Sequence, residues 1–471
     1  MATKGVKTNF RFKKYGISNT RGSPVVVDRL SNLPNPLIHH ILSFVPTLEV
    51  VRMSILSKRW RRVWYSIPAL HFCDIDHMGQ FRFKSQPRKA FNKFVDKCLK
   101  QREVGFVFGF AIPYRILTSA ALDNWLSFAI RRNVEELDLR AKPKFKKFVD
   151  YCLPETVLNA RSLTVLKLES LTLDGSCSVN LPSLISLSLV DVKLHDEVLH
   201  NLLLGCPALN KFLLKKCAGL LNTIISSSTL KFSEIVEDFI HYRAIKVEGA
   251  NLQSLIYDGF CDNICLSACK AIRNLSLLFS GLDDQSLEDL IFGLPLLECL
   301  TISASPYCLK HFRICGQHLR SIRLEKSYDD GLVKVTIDAP NLVSLCYKGD
   351  TKFGISMNAV RDNILSGHII INDDVTDGKY DTNWYINLIT FLSNINFSWK
   401  TTVSLHVYSE EALIFPENLR KICRSPWPNL KHMKIMTYRP SEKKADLKVS
   451  LYWVSPALET LVIEKETKGY F

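Results

Sequence analysis

The stretch Pro182-Ser-Leu184-Ile-Ser-Leu187-Ser-Leu189 sets the pattern from which the rest of the chain can be interpreted. Its leucines follow the order Leu-x-x-Leu-x-Leu, and the last two alternate with polar residues as in a half-buried strand. Such a strand buries its leucines on one face only. One copy cannot form a core by itself, so the pattern predicts a repeating structure.

Further copies of the pattern lie on both sides of this stretch. Adjacent copies mostly start about 20–29 residues apart, which is the range of leucine-rich repeats. The wide gap between Leu209 and Leu252 fits two units, the one near Leu230 being degenerate. The copies are Val134/Leu137/Leu139, Leu163/Leu166/Leu168, Leu184/Leu187/Leu189, Leu209/Phe212/Leu214, Leu252/Leu255/Tyr257, Ile272/Leu275/Leu277, Leu297/Leu300/Ile302, Leu319/Ile322/Leu324, Leu342/Leu345/Tyr347, Leu430/Met433/Ile435 and Leu458/Leu461/Ile463.

A proline stands two residues before the first leucine in six of these copies. Proline cannot continue a helix and favours an extended chain before it, so each marks where an outer segment ends and the next strand begins. Two outer segments are predicted helices, 196–204 and 284–292, which end at Gly205 and Gly293. The six prolines are Pro182, Pro207, Pro295, Pro340, Pro428 and Pro456.

The repeats predict a horseshoe-shaped solenoid with a parallel sheet on its concave face. Residues between the pattern leucines should point out of that sheet, and their chemistry is mixed. We take the charged and imidazole side chains among them as candidates for binding a protein substrate. They are Lys167, Lys215, Asp258, Arg323, Lys348, His406 and Lys434.

Residues 28–72 form a different unit, with apolar residues at helical spacing. Three short helices are predicted, with Asn35, Thr47 and Ser57 as candidate N-caps. Trp60 and Trp64 give this small unit a large apolar content. The N-terminal part of the chain, which contains this unit, is also basic. Residues 1–103 hold 20 Lys and Arg against 6 Asp and Glu, while residues 104–471 hold 41 against 40.

The motifs of this unit resemble the plant-type F-box. They are Asp28-Arg-Leu-Ser-Asn-Leu33-Pro34, Ile41-Leu42-Ser-Phe44-Val-Pro46-Thr47 and Val51-Arg-Met-Ser-Ile-Leu56-Ser57-Lys58-Arg59-Trp60-Arg61, followed by Trp64. The segments Trp427-Pro-Asn-Leu430 and Ser455-Pro-Ala-Leu458-Glu-Thr-Leu461 resemble the C-terminal part of plant F-box/leucine-rich-repeat proteins. Pro36 departs from the family, which often has an acidic residue there.

This resemblance implies an F-box followed by a ribonuclease-inhibitor-like solenoid, an α/β architecture. It implies that the F-box docks on the Skp-type adaptor of a cullin ubiquitin ligase and that the repeats bind an unknown protein substrate. The basic surround of the F-box would speed association with an acidic adaptor. Carried over by position, the adaptor-binding residues are Leu33, Pro34, Ile38, Ile41, Leu42, Val51, Leu56 and Trp60, of which about half should mainly form core.

The predicted organisation has four parts. Residues 1–24 form a disordered basic tail, although its stretch 11–14 could also act as a weak nuclear signal. Residues 25–72 are the F-box, residues 73–133 are a linker and N-terminal cap, and residues 134–471 are the solenoid. An irregular insertion is expected at about 350–400, with a helix that buries Tyr385, Leu388, Ile389 and Leu392.

The chain lacks the sequence motifs of an enzyme. No phosphate loop, dinucleotide-binding motif or Gly-x-Ser-x-Gly is present. Cys261, Cys265 and Cys269 are spaced by four but have no evident fourth ligand, and Cys217 occupies the position that ties down a repeat loop. We therefore expect no catalytic residue, no metal and no cofactor.

The remaining expectations concern location and alternatives. No apolar run is long enough to cross a membrane, and no secretory signal is evident, so the fourteen cysteines should be reduced in nucleus or cytoplasm. One alternative is a solenoid scaffold that regulates a partner without ligase activity. The other is nucleic-acid binding by the basic N-terminus, which the near-neutral repeats make unlikely.

Overall fold

The fold is described from a computed structural model of the chain. The described residues are 32–72, 87–100, 109–113, 119–140, 151–175, 178–237, 244–261, 263–304, 308–326, 331–357, 364–372 and 380–465. The predicted tail at residues 1–24 lies outside these ranges. Much of the predicted linker also lies outside them.

The elements alternate between strands and outer segments for most of the chain. The helices are α1 (Asn35–Leu42), α2 (Thr47–Met53), α3 (Lys58–Ser66), α4 (Pro87–Lys100), α5 (Ser119–Arg131), α6 (Glu155–Leu158), α7 (Asp196–Leu204), α8 (Asp284–Phe292), α9 (Thr382–Asn394), α10 (Glu417–Ile422) and α11 (Lys444–Val454). The strands are β1 (Ala69–His71), β2 (Gly109–Pro113), β3 (Glu136–Arg140), β4 (Val165–Glu169), β5 (Ser186–Val190), β6 (Lys211–Lys215), β7 (Asn222–Ser226), β8 (Phe232–Val236), β9 (Ala244–Glu248), β10 (Ser254–Asp258), β11 (Asn263–Cys265), β12 (Asn274–Leu278), β13 (Cys299–Ala304), β14 (His311–Cys315), β15 (Ser321–Lys326), β16 (Val333–Asp338), β17 (Ser344–Gly349), β18 (Phe353–Met357), β19 (Ser366–Ile371), β20 (Thr402–Ser409), β21 (His432–Arg439) and β22 (Thr460–Lys465).

One long parallel sheet forms the inner side of the molecule. Within the described residues it has sixteen strands, in the order β1-β2-β3-β4-β5-β6-β8-β10-β12-β13-β15-β17-β19-β20-β21-β22. Neighbouring strands are in register, so that Leu166 stands beside Leu187 and Leu187 beside Phe212. The predicted architecture, a three-helix N-terminal unit followed by a leucine-rich-repeat horseshoe, is confirmed.

The pattern leucines form continuous rows in the core. Leu166, Leu187 and Phe212 are each 0% exposed, and Leu255 and Leu300 are each 1% exposed. Each row is stabilised because a pattern residue packs against its counterparts in the turns before and after it. Burial of one such side chain contributes about 1.5–3 kcal/mol, so the array gains stability with every added turn.

The opposite side of the solenoid is built from helices and two small sheets. Helices α7 and α8 have the bounds that the sequence predicts, and α9 buries Tyr385 and Leu388 as expected. Between the helices lie two three-stranded parallel sheets, β11-β9-β7 and β14-β16-β18, which the repeat pattern did not predict. Their strands alternate buried and exposed residues, and α8 packs between the two sheets, against β11 and β14.

Several turns leave the sheet through the same backbone conformation. Ser170, Asp191, Lys216 and Phe279 each follow the last residue of a strand, and their φ angles lie between 50° and 60°. This left-handed conformation is uncommon for residues other than glycine. The repeat geometry therefore imposes it at these four positions despite the side chains.

Cys217 fixes one of these turns, as the sequence predicts. Its thiol is buried and donates to the carbonyl oxygen of Leu189 at 3.5 Å and to that of Lys215 at 3.6 Å. Cys261, Cys265 and Cys269 do not share a helix, since Cys265 ends β11 and the other two lie outside helices and strands. Spacing by four therefore does not bring their thiols onto one stripe.

The sheet extends beyond the predicted start of the solenoid. Strand β1 pairs with β2 and β2 with β3, so parallel pairing begins at Ala69 rather than near residue 134. The degenerate repeat near Leu230 is confirmed as β8, where the buried Ser233 takes the place of a pattern leucine.

The stretch expected to be an irregular insertion contains a regular turn of the solenoid. Strand β19 pairs with β17 and β20, and Gly367 stands in the row of pattern leucines. A Cβ atom on Gly367 would come within 2.6 Å of the Phe397 ring. The ring of Phe397 thus fills the space of the missing leucine, which hides this turn from the sequence pattern.

Candidate functional site

Three helices of the N-terminal unit enclose a small core. Ile38 and Leu42 of α1 and Val50 of α2 are buried, as are Trp60 and Trp64 of α3. The Ser57 hydroxyl accepts from the backbone N–H of Trp60 at 3.2 Å, which confirms the predicted cap of α3. This cap fixes the start of the helix that carries both tryptophans.

The other two predicted caps are wrong. Helix α1 starts at Asn35, so its N-cap position is Pro34, and no side chain caps it. Thr47 lies within α2 instead of before it, and its hydroxyl accepts from the backbone N–H of His71 at 2.7 Å. Proline occupies both N-cap positions, and Thr47 instead links the helical unit to β1.

A second apolar stripe on α1 faces solvent. Leu37 is 51% exposed, Ile41 is 39% exposed and Phe44 is 76% exposed. Leu37 and Ile41 share one side of α1. The exposed Pro34 just before the helix and Phe44 in the turn after it continue their spacing of three or four residues. Their side chains lie next to the buried stripe but outside the core.

The connection between α2 and α3 exposes two more large apolar side chains. Ile55 is 72% exposed and Leu56 is 73% exposed. Leu33 and Val51, which the sequence also predicts as adaptor contacts, are half-buried and pack against the core. Of the predicted set, Pro34, Ile41 and Leu56 are therefore exposed.

The other three predicted adaptor residues face the interior. Ile38 and Leu42 are each 1% exposed, and Trp60 is 7% exposed. They support the exposed stripe from behind instead of forming part of the surface. The split agrees with the expectation that about half of the set would mainly form core.

Basic side chains are exposed on α2 and α3 of the same unit. Lys58, Arg61 and Arg62 are exposed on α3, and Arg52 forms a surface ion pair with Glu49 at 3.0 Å. Arg59 is half-buried and donates to the Leu33 carbonyl at 2.5 Å and to Asn35 Oδ1 at 3.2 Å. Most of the positive charge of this unit is therefore available to a partner, while Arg59 ties α3 to the start of α1.

The predicted substrate-binding residues all lie on outward positions of the long sheet. Lys167, Arg323 and Lys434 belong to the middle row of that face. The next row holds Lys215, Asp258, Lys348 and His406. They lie on seven of the twelve strands from β4 to β21, so they do not form one compact cluster.

Lys215 and Asp258 are the closest pair of opposite charge in this set. They are two strands apart in the same row, with Val236 between them. Burial raises the pKa of the Asp258 carboxyl, and the positive charges of Lys215 and Lys216 oppose that rise. A cationic group of a ligand at this point would face the Asp258 carboxylate, whose negative charge Lys215 and Lys216 already balance.

His406 lies next to a histidine that the sequence analysis missed. The rings of His368 and His406 are 4.5 Å apart between centroids, and His406 is only 5% exposed. Burial, then His406, then Arg323 lower the pKa of His368 to about 4. His368 is therefore neutral at neutral pH and presents an uncharged imidazole group.

Ion pairs within the sheet neutralise much of the remaining charge. Arg323 lies 3.8 Å from Glu325, and Lys434 lies 2.8 Å from Glu464. Both pairs are half-exposed and contribute little stability. The concave face is thus polar and mixed in sign, as the sequence predicts.

Comparison with known proteins adds the family. Residues 30–71 match the F-box domain family, and residues 122–272 and 265–364 match the family described as "FBD-associated F-box protein At5g56370, LRR repeats". Curated proteins of Arabidopsis thaliana are also similar. "Putative F-box protein At1g49610" is 30% identical over 308 residues, covering 59% of this chain and 72% of that protein. "F-box/LRR-repeat protein 25" is 30% identical over 248 residues, covering 49% and 90%.

The chain belongs to the plant F-box/LRR-repeat family.

Other members of the family match over a smaller share. "F-box/FBD/LRR-repeat protein At5g56420" of Arabidopsis thaliana is 32% identical over 204 residues, which is 41% of this chain and 44% of that relative. The chain spans less than half the length of that relative. Together the F-box and repeat matches support a general role in substrate recognition for an SCF-type ubiquitin ligase.

In this F-box/LRR-repeat protein, Leu37, Phe44 and Ile55 are exposed apolar residues that sequence reasoning did not select. Residues 37, 41 and 44 follow helical spacing just as residues 38, 42 and 45 do. Periodicity alone could not tell which of these two adjacent stripes faces the core.

No helix within the described residues is long and apolar enough to span a bilayer.

Proposed function

We propose that this chain is the substrate-recognition subunit of a cullin-type (SCF) ubiquitin ligase. The F-box docks on the Skp-type adaptor, and through it on the cullin, while the repeats bind a protein substrate. The observation that carries the proposal is the exposed apolar stripe formed by Leu37 and Ile41 on α1 and Phe44 in the turn after it. It lies on a unit whose core is already filled by Trp60 and Trp64.

The exposed stripe is best explained as an interface. Exposed apolar side chains contribute nothing to the core of the chain that carries them, and grouped ones mark protein-binding surfaces. Aromatic and large aliphatic side chains dominate the binding energy of such surfaces. Phe44 and Leu56 are the most exposed large apolar residues of the F-box, at 76% and 73%.

The charge of the F-box fits an acidic adaptor. Lys58, Arg61 and Arg62 are exposed close to the start of α3, beside the Ile55–Leu56 connection. Cations at the rim of an interface mainly raise the rate of association with an acidic partner. The exposed apolar residues would supply most of the affinity.

The repeat array positions the substrate and does not itself carry out a reaction. Proteins of this family generally act as non-catalytic adaptors, and the function requires only that a substrate lysine be held near the charged ubiquitin carrier. The proposal includes no cofactor, no metal and no membrane or nucleic-acid partner. It places the protein in the nucleus, the cytoplasm or both.

Co-expression with a Skp-type adaptor and a cullin tests the adaptor half of the proposal. The chain should co-purify with both, and a double variant, Phe44→Ala with Leu56→Ala, should be lost from the assembly. Phe292→Ala with Ile422→Ala is a matched control, because these array residues are 86% and 80% exposed. Recovery of the F-box double variant in the assembly would contradict the proposal.

Protein abundance in cells without the chain tests the substrate half. Proteins captured by proximity labelling should accumulate when the chain is removed, and should fall again on re-expression of the wild type but not of the F-box double variant. Captured partners whose abundance does not change would instead indicate the scaffold role.

A further inference from the structure

A cavity of about 620 Å³ lies at the edge of the long sheet where the strands begin. Its lining includes Arg320, Val343 and Leu365, each of which immediately precedes a strand. Lys400 lines its far side. None of these residues belongs to the outward rows of the concave face.

Arg320 and Lys400 provide cationic groups to this cavity. Both are exposed, and neither side chain forms an ion pair with an acidic residue in the described part of the chain. Lys400 also occupies the first position of its repeat, where the two preceding repeats bury Leu342 and Ile364. The repeat pattern thus gives no reason for a charged residue at that position.

Val343 and Leu365 contribute apolar surface between the two cations, while Gln317, His318 and Asn341 make the rest of the lining polar. Val343 is 37% exposed and Leu365 is 53% exposed. Their backbone N–H groups already donate to the preceding turns, Val343 to the Arg320 carbonyl at 2.8 Å and Leu365 to the Val343 carbonyl at 2.9 Å. A ligand would therefore be bound by side chains and not by strand addition.

The sheet register gives the spacing of the two cations. Arg320 precedes β15 and Lys400 lies before β20, which is three strands away in the order β15-β17-β19-β20. At about 4.8 Å between neighbouring strands, the cations are about 14 Å apart along the sheet. An extended peptide covers that distance in about four residues.

The lining also distinguishes between classes of anion. Glu298 contributes a carboxylate to the cavity, where it forms an ion pair with Arg273. Because Arg273 balances this carboxylate, Arg320 and Lys400 remain as two separate cations, which suit two spaced carboxylates better than the continuous charge of a polyphosphate or nucleic-acid backbone. The exposed Val343 and Leu365 would be covered by apolar side chains, which those ligands lack.

We propose that this edge cavity binds an extended peptide segment with two carboxylates about four residues apart and an apolar side chain midway between them, where it faces the same side as the carboxylates. Arg320 and Lys400 pair with the carboxylates, and Val343 and Leu365 contact the apolar side chain. Calling this peptide a segment of the substrate rests on the proposed function. The binding site itself does not.

The test uses the full chain and a fluorescein-labelled peptide that contains Glu-Ser-Leu-Ser-Glu, followed by fluorescence anisotropy. Replacing both Glu by Gln, replacing the Leu by Ser, or placing the two Glu side by side should weaken binding at least about fivefold. Arg320→Ala with Lys400→Ala should weaken it at least about tenfold. Lys211→Ala with Lys231→Ala should leave it unchanged, since Lys211 begins the distant strand β6 and Lys231 immediately precedes β8.

Three outcomes would overturn the proposal. They are the absence of binding, binding that survives the Arg320 and Lys400 substitutions, and displacement of the peptide by equimolar tripolyphosphate or a single-stranded oligonucleotide. Val343→Ser with Leu365→Ser gives a second variant that should weaken binding without altering charge. Adaptor binding measured on the same preparations separates failure here from failure of the proposed function.

Discussion

The F-box and the repeat array place their large apolar residues differently. In the array, Leu166, Leu187 and Phe212 are 0% exposed because each packs between neighbouring turns. In the F-box, Phe44 and Leu56 are more than 70% exposed, although Trp60 and Trp64 beside them are buried. A repeating unit can bury every pattern residue against its neighbours, whereas a three-helix unit leaves one stripe for another molecule.

The largest effect on stability is expected at the centre of the array's C-terminal core. Trp427 is 1% exposed, and its Nε1–H donates to the carbonyls of Leu392 at 2.9 Å and Ile395 at 3.0 Å. Trp427→Ala should lower the free energy of unfolding by about 3–5 kcal/mol, because it leaves a cavity and two unsatisfied carbonyls. Urea denaturation measures the change.

Trp399→Ala is the matched control for this substitution, since Trp399 is 51% exposed. It should change the free energy of unfolding by less than about 0.5 kcal/mol. Similar losses for the two tryptophans would show that burial between turns does not determine stability in the array.

The second prediction concerns pH and the concave face. The folded pKa of His368 is about 4 and its ordinary value is 6.5, so the unfolded chain binds more protons between these values. Stability should therefore be unaffected above pH 6.5 and should fall as the pH drops from 6.5 towards 4. With allowance for partial exposure, the loss is about 1–2 kcal/mol.

His368→Gln isolates this contribution, because glutamine does not titrate. Comparing urea midpoints of the two proteins at pH 7.5, 6.0 and 5.0 removes the effects of His406, Arg323 and other groups that both share. Parallel pH profiles for the wild type and the variant would disprove the contribution of His368.

A smaller effect is expected at the cap of α3. Ser57→Ala removes the acceptor for the Trp60 N–H and should destabilise the F-box by about 1 kcal/mol. Ser57→Asp keeps an acceptor and should restore most of that stability. Hydrogen exchange should show the loss in amides of α3 and not in strands β4 to β6, which tests whether the F-box can loosen independently of the array.

The smallest effect is a gain in stability at a turn of the array. Lys216 has a φ of 52°, and its side chain is exposed. Lys216→Gly should stabilise the fold by about 0.5 kcal/mol, since relief of the left-handed strain slightly exceeds the entropy that glycine loses. The urea midpoint measures the gain, and Lys211→Gly, within strand β6, should instead lower stability.

Most of the fold could be predicted because the repeat pattern is self-consistent. The repeat pattern did not predict those turns in which a neighbouring side chain replaces the pattern leucine, as Phe397 does at Gly367. The two outer sheets escaped because strands such as β7 carry an alternation of only five residues and no repeat of their own. The local sequence does not determine which distant side chain fills the space of a missing pattern leucine.

The candidate surfaces were predictable only in part. Helical spacing identified the apolar residues of α1, but the packing of α3 decides that Ile38 and Leu42 are buried while Leu37 and Phe44 are exposed. His368 escaped because it follows Gly367, where the pattern fails. Its closeness to His406 depends on the register between β19 and β20.

Calorimetry of the full chain with a Skp-type adaptor tests most directly whether the exposed F-box residues form an interface. If these residues form the interface, we expect a negative heat-capacity change on adaptor binding, since apolar surface is buried. We also expect that Phe44→Ala with Leu56→Ala weakens affinity at least about 30-fold while the urea midpoint stays the same. Affinity equal to that of the wild type in this double variant would contradict the account.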